Sequence, residues 1–428
     1  MLAVPTTCPF CACGCGFYLL VENGQPVGVA PSETHPVSHG RLCARAWHAH
    51  QAVLWGERLR HPLIRRNGNL EPASWTSALN HLTHRLKDLI DSGKPVGMLG
   101  SARATNEENY LAGKLARAGL RPNNIDFSYR AVCRSLIQGI EDVTGAFIPS
   151  ITLQEVESSE TILLIEGDLA ETHPQAASSI MRALEQGARL VTIGCRRTQM
   201  VRLSSLHLEA VPGDEGYVIN GLLAALIRPE RGDRRVATAD TEEYASLIHN
   251  LETSEVTEEL RRAAEWIARA EWAVPMPGLR DQCRGTAAAV ATLAAITRHL
   301  HRPGSGILPL LARSNARGAC EMGIAPDRLP GYEPLACGPT QDRLQNLWDR
   351  SLPASGGTDV ETLLESVSGL IVLADDPPSI LPGARRATAA LQKIEFLAVL
   401  DVFATPTTEM AEVALPIASF AETEGTLG

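Results

Sequence analysis

The chain has 428 residues, 44% of them hydrophobic and 21% charged, enough for more than one core and for two or three domains. Its formal net charge of −10 argues against nucleic acid or an anionic membrane surface as a standing partner. No run of eighteen or more apolar residues is present, so no membrane span is expected. The N-terminus MLAVPTTCPFC has neither a basic n-region before an apolar stretch nor a twin-arginine pair, which points to a cytoplasmic chain.

In chain order, residues 1–55 are rich in Cys, Gly and Pro and contain one short alternating segment, Phe17 to Glu22. That pattern suggests a small β-rich module held together by a metal. From about residue 75, SWTSALNHLTHRLKDLI has helical periodicity, with Ser74 or Thr76 available as N-cap. KPVGMLG (94–100) reads as a short buried strand. ETILLIE (160–166) is a continuous apolar run, followed by a helix over 175–187, a strand RLVTIG (189–194), a strand over 206–211 and a helix over 215–227. Residues 272–276, an Ala-rich helix over 285–300, and strands over 370–374 and 396–403 continue the alternation. This is βαβ logic, an α/β fold with parallel strands buried on both faces.

Five of the ten cysteines fall within the first 43 residues. A disulfide framework suits short secreted chains better than a long one such as this. Cys8-x2-Cys11-x3-Cys15, then 27 residues, then Cys43, places three thiols on one tight loop and a fourth at a distance. Four such thiolates can surround a [4Fe–4S] cubane. Zinc is the alternative, although its ligands come more often as two CxxC pairs. Cys13 is left over as a non-ligand. Cys133, Cys195, Cys283, Cys320 and Cys337 are scattered, as small buried hydrophobes would be.

Strand ends carry a second pattern. Gly167-Asp168 follows one strand, with Glu171 and His173 just before a helix that begins near Pro174. Gly194-Cys195-Arg196-Arg197 ends the next strand, and Pro212-Gly213-Asp214 another. Any one of these could be an ordinary turn. Their recurrence suggests a nucleotide crevice beyond the carboxyl ends of parallel strands. No Walker A motif and no G-x-G-x-x-G after a strand is found, so no nicotinamide site is read and electrons must leave through a partner.

TCPFCACGCGFYLLVENGQPVGVAPSETHPVSHGRLCARAW resembles the N-terminal domain of molybdopterin-guanine-dinucleotide (MGD) oxidoreductases, and most closely that of the formate dehydrogenase catalytic subunit. GSARATNEENYLAGKLAR, NNIDFSYRAVCRS, EGDLAETHP, SNARGACEMGIAPDRLPGY and VLDVFATPTTEMAEVALPIASFAETEG agree in family order. The resemblance implies a β-rich [4Fe–4S] domain (1–58) and two doubly wound α/β domains. One of these is discontinuous (59–126 plus 340–428); the other is Rossmann-like and binds the dinucleotide (127–339). It implies bis-MGD with molybdenum or tungsten, Cys133 as metal ligand, and Arg45 between cluster and pterin. Gly167, Asp168, Glu171, His173, Cys195, Arg196, Gly213 and Asp214 become cofactor contacts.

Two positions depart from that family. Arg134 stands where a His follows the metal ligand, and Leu311 where an Arg precedes the GAC turn, with Arg313 two residues on. Arg134 and Arg313 can hold a small anionic, formate-like substrate, but a guanidinium cannot serve as a base near neutral pH. The resemblance further implies a redox partner subunit carrying Fe–S or flavin. The sequence stops where the family continues into a cap domain, so either it is a fragment or a separate cap subunit supplies that part. Formylmethanofuran dehydrogenase, built the second way, is one alternative. A non-catalytic electron-transfer subunit of a larger complex is the other.

Overall fold

A computed structural model describes residues 1–120, 123–145, 151–227, 249, 251, 253–278, 284–300 and 302–428. Its first strands are β1 (Leu2–Thr7), β2 (Gly16–Glu22), β3 (Gln25–Pro31), β4 (Leu63–Arg66), β5 (Asn69–Pro72), β6 (Val96–Leu99) and β7 (Ile125–Asp126). There follow β8 (Thr161–Ile165), β9 (Arg189–Gly194), β10 (Leu206–Glu209), β11 (Ala273–Pro277), β12 (Arg328–Leu329) and β13 (Glu333–Pro334). The last three are β14 (Gly369–Leu373), β15 (Phe396–Asp401) and β16 (Val413–Pro416).

The chain divides into two units. One comprises Met1–Ser32, Ala44–Ala131 and Arg313–Gly428; the other comprises Glu33–Cys43 and Val132–Ala312. The first holds the antiparallel sheet β1-β2-β3 and a seven-stranded sheet ordered β5-β4-β16-β15-β14-β6-β7. In that larger sheet β16, β15, β14, β6 and β7 run parallel, and the β4–β5 hairpin joins its edge antiparallel. Asn67 (φ 47) and Gly68 (φ 87) both take left-handed conformations between β4 and β5, as a type I′ turn requires.

The second unit is built on the parallel sheet β10-β9-β8-β11. β8 and β11 are buried at every position, as strands covered by helices on both faces are. Leu163, Ile165, Val191 and Ile193 pack with Ile219, Leu222 and Leu223 of the helix Glu215–Ile227 and with Val290 and Leu293 of the helix Arg284–Ile296. In the first unit Leu99, Leu370, Val372, Leu397 and Val399 form the equivalent core with Val360, Leu363 and Leu364. The α/β class with doubly wound parallel sheets and a small N-terminal β-rich region is therefore present. Among the described residues no helix is long and apolar enough to cross a membrane.

Candidate functional site: a cysteine loop and two strand-end crevices

β1 and β2 pair from Leu2↔Val21 to Thr7↔Gly16, and the turn between them carries the N-terminal cysteines. The Cys8 N–H donates to the Cys15 carbonyl at 2.8 Å and closes the loop. Cys8, Cys11 and Cys15 are buried, whereas Cys13 and Cys43 are half-buried. The Cys11 thiol is lowered from 9.0 to about 6, first by hydrogen bonding from the Cys13 side chain, against burial, with the Arg45 guanidinium assisting. A thiol so placed is largely thiolate at neutral pH, the form that binds iron. Among the described residues no three His, Cys, Asp or Glu side chains converge to hold one metal ion. A cubane takes one thiolate per iron and needs no such convergence. Arg45 lies on the exposed face of the helix Ala44–Trp47. In the second unit the Arg41 carbonyl, near Cys43, accepts from Gln175 Nε2 at 3.0 Å.

The tips of β8 and β9 form a shallow cleft lined by Glu166, Gly167, Thr192, Gly194, Arg196, Thr198 and His207, among others. Glu166, the first residue past β8, has φ 47, and its N–H donates to Ile193 at 2.8 Å. The structure thus brings Gly167 and Arg196 together in one cleft, with Cys195 beside them. Asp168 starts the short helix Leu169–Thr172, its carbonyl accepting from Glu171 and Thr172 N–H. Glu171 is exposed, as are Gly213 and Asp214, which form the turn ahead of the helix Glu215–Ile227. His173 is turned inward: its Nε2 bonds the Leu311 carbonyl at 2.7 Å, pinning the strand-like segment before residue 312.

The first unit has an equivalent crevice that sequence reasoning missed. Ala374, the first residue past β14, has φ 45 and donates its N–H to Leu400 at 2.7 Å, matching the Glu166–Ile193 link. Asp375 follows, buried, accepting from the Ser128 N–H at 2.8 Å; burial pushes its carboxyl from 3.8 up to about 6. Asp376 Oδ1 accepts the Thr407 N–H at 3.1 Å, which fixes the helix Pro406–Met410 against the strand end. Asp401 ends β15 and accepts the Val402 N–H at 2.6 Å; burial likewise raises it to about 6. The Arg103 guanidinium faces both carboxylates and opposes those rises. In the sequence, Ala374-Asp375-Asp376-Pro377 reads as an ordinary turn, and Asp401 lies in a stretch that carries the family resemblance without marking a role for it.

Arg313 is half-buried near Arg103, Tyr129, Asp375 and Arg45, and burial, followed by Arg103, holds its pKa down. Its Nε and the neighbouring Ser314 Oγ are buried without a hydrogen-bond partner. A buried donor left so is matched to an acceptor that a ligand would bring, and a phosphate or carboxylate fits it. Cys133 is wholly buried on the helix Ser128–Thr144, and Arg134 beside it is half-buried. Of the scattered cysteines, Cys320 is also buried, Cys195 and Cys337 are half-buried, and Cys283 lies outside the described residues. The donor set and the orphaned donors fit an iron–sulfur cluster and an anionic dinucleotide.

Comparison with known proteins agrees. Residues 58–428 match the model of molybdopterin oxidoreductases, and residues 1–54 that of the molybdopterin oxidoreductase Fe4S4 domain. The F420-dependent formate dehydrogenase subunit alpha of Methanocaldococcus jannaschii is 32% identical over 99% of this chain and 65% of its own length. Formate dehydrogenase H of Escherichia coli is 28% identical over 99% of this chain and 63% of its own. Among solved structures, acetylene hydratase from Pelobacter acetylenicus superposes with a TM-score of 0.75 at 18% identity, over 98% of this chain and 63% of that one, a likeness of fold. This chain therefore spans just under two thirds of the length of these relatives. With a cysteine loop matched to the Fe4S4 domain and the whole remainder matched to the larger one, the chain belongs to the molybdopterin oxidoreductase family.

Proposed function

We propose that this chain is the cluster- and cofactor-bearing part of a formate dehydrogenase-like enzyme that oxidises formate or a similar small anion. The pair of equivalent strand-end crevices carries the reading, because two dinucleotide sites on one chain are what a bis-MGD group requires. Cys8, Cys11, Cys15 and Cys43 would hold the [4Fe–4S] cluster. The β8–β9 crevice, lined by Gly167 and Arg196, would hold one dinucleotide, with Asp168, Glu171, Cys195, Gly213 and Asp214 as further candidate contacts; Asp375, Asp376 and Asp401 would hold the other. His173 supports the first crevice through Leu311. Cys133 would bind molybdenum or tungsten, since a soft thiolate suits a metal already held by dithiolenes. When bound, that metal supplies the two-electron chemistry.

This chain's own residues bind and orient. Arg313 presents a buried, unsatisfied Nε to a carboxylate or phosphate, and Arg134 is a second guanidinium able to hold the substrate anion bidentately. Neither arginine accepts a proton near neutral pH, so the substrate proton must leave through another group. Electrons would pass by way of the cluster, with Arg45 at its edge, to a redox partner subunit carrying Fe–S or flavin. The relatives' names as alpha subunits of formate dehydrogenases support both the substrate class and the presence of partners.

Metal analysis of the purified protein tests the reading. Iron together with molybdenum or tungsten, and dye reduction that depends on formate, is the expected result. Iron without either metal would reject the enzyme and leave an electron-transfer subunit. Loaded metal without formate turnover would reject the substrate, and formylmethanofuran would then be the alternative to assay.

A further inference from the structure

The two crevices are built alike, yet their acidic residues occupy different sequence positions. At each first-strand tip a non-glycine residue with positive φ donates its N–H to the last but one position of the next strand: Glu166 to Ile193 and Ala374 to Leu400. This register makes Gly194 the counterpart of Asp401, and Glu166 the counterpart of Ala374. In the first unit the second-strand tip carries the carboxylate, and Asp401 Oδ1 caps the N–H of the following residue, Val402, at 2.6 Å. In the second unit that tip is a glycine, and the following N–H, that of Cys195, is capped at 3.0 Å by Glu166 Oε1 from the neighbouring strand. A Cβ on Gly194 would lie 2.4 Å from the same Oε1, so the Glu166 carboxylate fills the space where a side chain at position 194 would stand.

We infer that Glu166 supplies from β8 the carboxylate that this crevice needs at the tip of β9, and that it binds the ribose hydroxyls of the nucleotide. In dinucleotide-binding α/β sheets the acid at the second strand's tip accepts hydrogen bonds from the ribose diol. Glu166 is buried, lines the cleft with Arg196 and Thr198, and spends one oxygen on Cys195 N–H, leaving the other for a ligand. A φ of 47 is unusual for a glutamate and would be relieved by glycine, a local cost that a binding role explains. Glu166 also sets polarity within the cleft: it repels phosphate from the β9 tip and leaves that charge to Arg196. The inference rests on the nucleotide reading of this crevice.

The test uses cofactor-free protein and two probes, guanosine 5′-diphosphate and its 2′,3′-dideoxy analogue, with binding measured by calorimetry. Loss of one or two hydrogen bonds to a charged group should weaken the dideoxy probe roughly tenfold or more on the wild type. In Glu166→Gln, whose amide oxygen still caps Cys195, that preference should fall to within about threefold, with the unfolding midpoint held. Glu166→Gly, which removes the carboxylate and relaxes the backbone, should lose the preference as well while unfolding no earlier than the wild type. If the wild type binds neither probe, the nucleotide reading of the crevice fails and this inference with it. If the wild type binds both equally, or either variant keeps the preference, the Glu166 assignment alone is overturned.

Discussion

Asp375→Asn should stabilise the cofactor-free protein, and more so as pH rises. Asp375 is 4% exposed, and burial raises its pKa from 3.8 to about 6. Between those values the folded chain holds a proton that the unfolded chain has released. Stability is therefore fully present below pH 3.8 and falls as pH rises through about 6, where the raised folded-state value places the loss. A rise of this size corresponds to about 3 kcal/mol once both states are ionised. Asparagine is nearly isosteric, still accepts the Ser128 N–H through its amide oxygen, and carries no charge at any pH. Its advantage over the wild type should grow from about 1–2 kcal/mol at pH 5 to about 3 kcal/mol at pH 8. Guanidinium unfolding followed by far-ultraviolet circular dichroism at both pH values measures that growth. An advantage that stays constant with pH, or a variant less stable at pH 8, would refute the assignment of the buried charge. The same variant should retain less nucleotide, because a carboxylate that costs the empty fold stability belongs where a ligand donates to it.

Other perturbations read out separate parts. Cys8→Ser should abolish the visible charge-transfer absorption of the cluster; full absorption with four irons retained would remove Cys8 from the ligand set. Cys133→Ala should lose molybdenum or tungsten and all turnover while the cluster's visible spectrum persists, and retained turnover would sink its ligand role. Arg117 is wholly buried and donates to Asn123 Oδ1 at 2.8 Å and to the carbonyls of Gly323, Ala325 and Arg328 at 3.0, 2.8 and 2.7 Å. Arg117→Met would leave those acceptors unsatisfied and should cost about 3–5 kcal/mol in denaturant unfolding; a loss below about 1 kcal/mol would show that water replaces the guanidinium. Gly139→Ala would set a methyl 2.3 Å from the Arg284 carbonyl and 2.6 Å from Ala287 Cβ, so the helices Ser128–Thr144 and Arg284–Ile296 must part. A loss of about 1–3 kcal/mol or more in denaturant unfolding is expected.

How far the sequence revealed these features depended on the kind of signal each one leaves. The parallel strands were legible because burial on both faces writes them as unbroken apolar runs, such as TILLI at β8 and GLIVL at β14. The cysteine loop was legible because its ligands are local and spaced by the loop itself. β1 was missed because its pattern is exposed and contains Pro5. The β4–β5 hairpin was missed although Asn67-Gly68 is a strong turn signal. Arg117 left no trace, since its acceptors are backbone carbonyls more than two hundred positions away for three of its bonds.

The β8–β9 crevice was legible from its strand ends, but the carboxylate that each crevice uses was not, for a deeper reason. What each one needs is a carboxylate over the first N–H beyond the second strand, a position in space and not in sequence. Asp401 meets that need from its own strand end, and Glu166 meets it from the neighbouring strand, across a glycine that leaves room for it. A search for an acid at a fixed offset finds the first and passes over the second. Only the strand register, which aligns Ile193 with Leu400 through equivalent hydrogen bonds, identifies the two carboxylates as answers to the same demand.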